Sequence, residues 1–161
     1  MILSERLSVI AGYVPWGLIV ADIGTDHALL PIYLVTQEIS PYVIACDLCS
    51  GPLESARANI YYYKLADKVE IRQGDGLEPL NQGEVEVIII AGMGGAKIID
   101  ILETSSDVLD EIVRIILQPQ RGAEIVRRWL YDYGWEIIDE DLVLENSNYY
   151  EIIIAEHSLA G

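Results

Sequence analysis

Two patterns alternate along the chain: unbroken apolar runs, and longer stretches in which apolar residues return every three or four positions. Short unbroken runs bounded by polar or glycine-containing turns mark strands buried on both faces, whereas the longer spacing marks a helix with one inward stripe. On this basis residues 3–14 form a helix with Leu3, Leu7, Ile10 and Ala11 inward, capped by Ser4 and ended by Gly12 and Pro15. Strands are predicted at 18–22, 42–47, 68–72, 85–90 and 112–117. Helices are predicted over 27–37, with Pro31 early, where its missing N–H costs least, and from Ser50-Gly51-Pro52 onward. The second of these has Pro52 near its first position and Glu54 in its first turn, where the dipole favours an acid, and turns Leu53, Ala56 and Ile60 inward, and Arg57 and Lys64 outward. Further helical stretches cover 95–103, 106–111 and 122–133, the last with Ile125, Val126, Trp129 and Leu130 as its buried face and Gly134 as its stop. Residues 135–156 read as two strands about the polar turn Glu145-Asn146-Ser147-Asn148. Five β–α steps followed by an antiparallel pair predict one α/β domain, a three-layer sandwich with a mostly parallel sheet.

In a parallel sheet the strand ends share one rim, and the residues there are unusual. The first strand stops at Asp22, followed by Gly24, Asp26 and His27; the second stops at Asp47; the third runs into Gly74-Asp75-Gly76; the fourth delivers Ala91-Gly92-Met93-Gly94-Gly95. This rim is where open α/β sheets bind ligands. A carboxylate about 25 positions after the first strand's turn sits where such sheets place a ribose-binding acid, which makes Asp47 the candidate. Asp75 is placed to accept from an adenine amino group, with the Gly76 backbone beside it.

The composition narrows the choice of ligand. The net charge is −16, with ten basic and 26 acidic residues, so the body as a whole repels polyanions and anionic membrane. Local clusters remain available to nucleic acid: Arg6, Lys97, Arg121, Arg127 and Arg128 lie away from the predicted inner helix faces, with Arg121, Arg127 and Arg128 closest in sequence. Hydrophobic residues make up 52% of the chain and the mean hydropathy is +0.28, enough for a well-filled core. No apolar run is long enough to span a bilayer and no signal peptide is evident, so the expected location is cytoplasmic, with no membrane partner.

The first turn lacks the G-x-G-x-x-G of dinucleotide sites, and Asp22 with Asp26 would repel a pyrophosphate there; no Walker loop is present either. A cationic cofactor such as S-adenosylmethionine suits the acidic rim better. Two alternatives stay open. Cys46 and Cys49 form a C-x-x-C that would serve a thioredoxin-like oxidoreductase, and Gly92-Met93-Gly94-Gly95 would serve a nicotinamide enzyme. A non-catalytic nucleotide-binding module is a third reading. No metal site is expected, because the cysteine pair has no second pair and His27 and His157 are far apart in sequence.

The blocks VADIGTDHALLPIYL, IACDLCSGPLESA, GDGLEPL, IIIAGMGG, ILQPQ and YYEIIIAE, taken together, resemble the bacterial tRNA (adenine-22-N1)-methyltransferases, across nearly the whole chain. The resemblance implies a Rossmann-like class I fold, S-adenosylmethionine as cofactor and methyl transfer to adenine N1 in tRNA. It also implies that Asp22, Gly24, Asp47, Leu48, Asp75, Gly76, Ala91, Gly92, Met93 and Gly94 correspond to the cofactor pocket, and that Asp26, His27 and Met93 face the methyl-transfer centre. Asp26 is the candidate to offset charge on the purine and take its proton, with His27 as the alternative. Members of that family usually continue into a helical extension thought to help grip tRNA. The chain stops at Gly161, so it is expected to bind tRNA weakly by itself.

Overall fold

The computed structural model describes residues 1–159. Its elements run α1 (Glu5–Gly12), β1 (Val20–Ile23), α2 (Leu29–Thr36), β2 (Val43–Asp47), α3 (Ser50–Tyr62), β3 (Val69–Gln73), β4 (Val87–Met93), α4 (Gly95–Thr104), α5 (Ser106–Leu109), β5 (Arg114–Pro119), α6 (Ala123–Asp132), β6 (Trp135–Glu145) and β7 (Asn148–His157). The strands form one seven-stranded sheet in the order β3-β2-β1-β4-β5-β7-β6. The first five are mutually parallel, and β7 pairs antiparallel with both β5 and β6. The predicted architecture is therefore the observed one.

Side-chain alternation along the parallel strands builds two cores. Ala21, Ile23, Ile44, Ile88 and Ile90 pack with Ile98 and Leu102 of α4 and with Val126 and Leu130 of α6. Val20, Val43, Ala45, Val87 and Ile89 pack on the other face with Ile10 of α1, Leu34 of α2 and Ile60 of α3. Both faces are covered, which is why these strands carry no polar alternation.

Local chemistry sets the element ends. Ser4 caps α1, its hydroxyl accepting from the Leu7 N–H at 3.2 Å. The β6–β7 hairpin turns on Asn146 and Ser147, both at positive φ, as a two-residue turn between right-twisted strands requires. Three predictions need correction. Ile125, placed on the buried face of its helix, is exposed, because α6 buries the stripe Ala123, Val126, Trp129 and Leu130. Glu54 lies beyond the first turn of α3, which begins at Ser50. Ala91 to Met93, expected as a turn after a strand ending at 90, instead continues β4, with a register shift between Ala91 and Met93 as it pairs with Gln118 and Pro119.

Candidate active site

In this strand order β1 connects outward to β2, and the chain then crosses over to β4 on the other side of β1. The crevice at the carboxyl ends of β1 and β4 is the topological switch point, where such sheets bind ligands. A cavity of about 140 Å³ opens there, lined by Ile23, Gly24, Asp47, Leu48, Asp75, Gly76, Met93 and neighbouring residues. It continues past Asp75, Gly76, Lys97 and Ile101 into a shallower depression of about 490 Å³ along α4. The rim residues expected from the sequence are thus divided. Gly24, Asp47, Leu48, Asp75, Gly76 and Met93 line the cavity, whereas Asp22, Ala91, Gly92 and Gly94 do not.

The wall is tightly drawn at one point. Gly24 has φ +74°, and a Cβ added there would lie 2.6 Å from Cε of Met93. Only glycine lets the β1 turn adopt this backbone while the β4 side chain closes over it. The turn is fastened to the neighbouring strand, since the N–H groups of Gly24 and Thr25 both donate to the Cys46 carbonyl at 2.9 Å.

Asp47 is the hub of the acidic rim. Its Oδ2 accepts from the Asp26 N–H at 3.1 Å and its Oδ1 from the Cys49 N–H at 3.2 Å. Each oxygen keeps a lone pair for a further donor. Asp75 stands 3.9 Å from Nζ of Lys97, a cation expected on the outer surface that in fact lines the cavity. Asp22 is buried and accepts from the Thr25 hydroxyl at 2.9 Å. Burial pushes its carboxyl up to about 7; the Thr25 bond works against that, the Asp47 charge adds to it, and Arg6 opposes it.

Asp26 and His27 lie in a turn with left-handed residues at Asp26 and Ala28. The His27 ring makes a 2.6 Å hydrogen bond through Nδ1 with Oγ of Ser55, its carbonyl accepts from the Asn59 amide at 2.8 Å, and Nε2 is 3.7 Å from Oδ1 of Asp26. The helix after β2 therefore holds the histidine, and the Asp26 carboxylate is left open to solvent.

Gln118 was not among the candidates, and Arg6 was one only as a cation available to nucleic acid. Gln118 is fully buried at the end of β5; its Oε1 accepts both the Gly92 N–H at 3.1 Å and Nη1 of Arg6 at 2.8 Å. These bonds pin the β4 bulge that carries Met93. A polar side chain ending the apolar run of β5, in ILQPQ, was the available signal. Arg6, expected as a free cation, is drawn in from α1 and also faces Glu145.

The cysteines do not form a redox pair. Both are free, Cys46 is buried, and burial pushes its thiol up to about 12, so it offers no thiolate at neutral pH. Among the described residues no group of three or more His, Cys, Asp or Glu is placed to hold a metal ion, and no helix is long and apolar enough to cross a membrane.

A switch-point crevice lined by Asp47 at the end of β2 and Asp75 just after β3, on a sheet that ends in an antiparallel pair, is the arrangement of a Rossmann-like methyltransferase domain. The chain belongs to that family, and residues 3–153 match the methyltransferase-domain model. It is 44% identical over 154 residues to the tRNA (adenine(22)-N(1))-methyltransferase of Bacillus subtilis, covering 96% of this chain and 65% of the relative. The crystal structure of the B. subtilis m1A22 tRNA methyltransferase TrmK superposes with a TM-score of 0.94 at 42% identity, covering 98% of this chain and 67% of that one. A Streptococcus pneumoniae candidate tRNA (m1A22) methyltransferase, crystallised with S-adenosyl-L-methionine, superposes at 0.95 with 38% identity, covering 98% and 74%. The chain spans just under two thirds of the length of the curated B. subtilis relative.

Proposed function

We propose that this chain is the catalytic domain of a cytoplasmic enzyme that transfers a methyl group from S-adenosylmethionine to N1 of adenine 22 in tRNA. The observation that carries the reading is the convergence of Gly24, Asp47, Asp75 and Met93 on one switch-point crevice, in a chain so similar to enzymes of that description. The residues fit the cofactor. Asp47 and Asp75 are acceptors suited to ribose hydroxyls and an adenine amino group, the missing Cβ of Gly24 leaves room under Met93, and the surrounding acids favour a cation. When bound, S-adenosylmethionine supplies a methyl group activated by its sulfonium.

Adenine N1 already carries a lone pair, so the chemistry needs no strong base to begin. The chain's task is alignment, an effect worth roughly 7–11 kcal/mol where two reactants are held at near-attack distance. Asp47, Asp75 and the Gly24–Met93 contact hold one reactant. The turn at Asp26 and His27, braced by Ser55 and Asn59, meets the other. As the new N–C bond forms, positive charge grows on the purine. The open Asp26 carboxylate offsets it and then takes the proton from the exocyclic nitrogen, while His27 orients Asp26. With its net charge of −16, the chain binds tRNA weakly.

The test is incubation with methyl-labelled S-adenosylmethionine and an unmodified tRNA transcript, followed by nucleoside mass spectrometry. The expected product is 1-methyladenosine, absent when position 22 is guanosine. Incorporation indifferent to position 22, or none at all, would overturn the reading.

A further inference from the structure

α3 runs from the site to the far edge of the sheet. Its thirteen residues span about 20 Å, at 1.5 Å of rise each. Near its start Ser55 and Asn59 hold the His27 turn, and its inner stripe of Leu53, Ala56 and Ile60 is buried. The outer surface differs from the rest of the molecule. Arg57 and Tyr61, one helical turn apart, line a groove of about 330 Å³ beside the edge strand β3. Tyr61 and Tyr62 are 84% and 77% exposed, and Tyr63, Lys64 and Lys68 follow in the turn beyond.

Three of the five cations that make no ion pair among the described residues lie here, the other two being Arg121 and Arg128. Arg6, Arg72, Lys97, Arg114 and Arg127 each face a carboxylate. Arg127, one of the three cations closest together in sequence, is held by both Glu140 and Glu151. Arg57, Lys64 and Lys68 make no ion pair among the described residues, although acids outnumber bases 26 to ten. The nearby acids are Glu54, Asp67 and Glu70, and the Glu70 carboxylate is already taken by Tyr42 and Arg72. Unpaired cations interleaved with exposed aromatic rings suit an RNA strand, with phosphates meeting the cations and unpaired bases stacking on the rings.

We propose that the outer face of α3 and the turn after it, from Arg57 to Lys68, is the docking surface for the RNA strand that adjoins the target nucleotide. The inference rests on tRNA being the substrate. Arg57, Lys64 and Lys68 contact phosphates, Tyr61 and Tyr62 present stacking faces, and α3 carries the strand toward the His27 turn.

The experiment compares the unaltered chain with Arg57→Gln/Lys64→Gln/Lys68→Gln and with Tyr61→Ala/Tyr62→Ala. Each is titrated with unmodified tRNA by fluorescence anisotropy from 50 to 200 mM salt. Affinity for S-adenosylmethionine, which these exposed positions should leave unchanged, verifies that each variant is folded. Removing three phosphate contacts lowers the slope of log affinity against log salt by about 2–3. At 50 mM salt the same variant should bind at least tenfold more weakly. The tyrosine variant should raise KM for tRNA severalfold with the slope unchanged and kcat at saturating tRNA intact. Normal methylation by the triple variant with an unchanged slope would overturn this surface while leaving the substrate reading standing, and would direct attention to Arg121 and Arg128 or to a protein partner for α3. An unaltered chain that neither binds nor methylates tRNA would remove both proposals.

Discussion

Asp47 Oδ2 accepts the backbone N–H of Asp26 at 3.1 Å, so the acid at the end of β2 also positions the turn after β1. A substitution at Asp47 therefore acts on both cofactor and substrate sides. Asp47→Ala removes an ionised acceptor, and a hydrogen bond to a charged group contributes about 1.5–3 kcal/mol. Affinity for S-adenosylmethionine should fall roughly ten- to a hundredfold. Calorimetry measures this directly, and wild-type affinity in the variant would remove Asp47 from the ribose-binding role.

Asp26 is separable from that effect because its backbone, not its side chain, engages Asp47. The residue sits at φ +59°, a conformation asparagine tolerates well. Asp26→Asn should thus keep the turn and the cofactor affinity while losing the charge that offsets the purine cation. Single-turnover transfer should slow by at least tenfold, with saturation by S-adenosylmethionine unchanged. A variant that transfers at the normal rate but loses cofactor affinity would move Asp26 into the cofactor-binding set.

Gly24→Ala introduces two conflicts, a positive φ and a Cβ 2.6 Å from Cε of Met93. The first costs about 1–2 kcal/mol of stability wherever Met93 goes. The second is relieved if Met93 rotates, which displaces the side chain that closes the cavity. Melting temperature and cofactor affinity should both fall in Gly24→Ala. Adding Met93→Ala should not restore the melting temperature to that of Met93→Ala alone. Full recovery would show the steric contact to be the whole effect.

The fold was legible because its signals are local. The runs ending at Asp22 and Asp47 are unbroken and apolar, and each stops at a single carboxylate, so strand, strand end and rim position follow together. Gly24, Asp47, Leu48, Asp75, Gly76 and Met93 of the cavity lining were legible for the same reason, whereas Asp22, Ala91, Gly92 and Gly94, expected with them, do not line it. What escaped depends on contacts between distant segments. The Arg6 N–H finds Glu145 across 139 positions, and Gln118 reaches Gly92 across 26. No periodicity encodes such pairings. The Gln118 bond in turn fixes the bulge that keeps Ala91 to Met93 in the sheet, and this is why a glycine-rich segment expected as a turn pairs as strand. Ile125 was misplaced because helical spacing alone does not determine where the buried stripe of α6 is centred.

Asp22 makes the site sensitive to pH. An unfolded aspartate titrates near 3.9, whereas burial raises the folded carboxyl to about 7. Between those values the folded chain holds a proton that the unfolded chain has released. Stability from this group therefore declines as pH rises through the window, and the full penalty is present above pH 7. Asp22→Asn removes the titration and keeps an oxygen for the Thr25 hydroxyl. Its melting temperature should exceed that of the wild type at pH 8, with the advantage shrinking toward pH 5. The functional consequence runs the other way. A cationic cofactor favours ionised Asp22, so wild-type affinity for S-adenosylmethionine should climb as pH rises through about 7, with proton release on binding, while the asparagine variant stays flat and weak. Thermal melts and calorimetry at half-unit steps from pH 5 to 8 measure both. If the two proteins gave parallel curves in both experiments, burial of Asp22 would not be the source of the pH response.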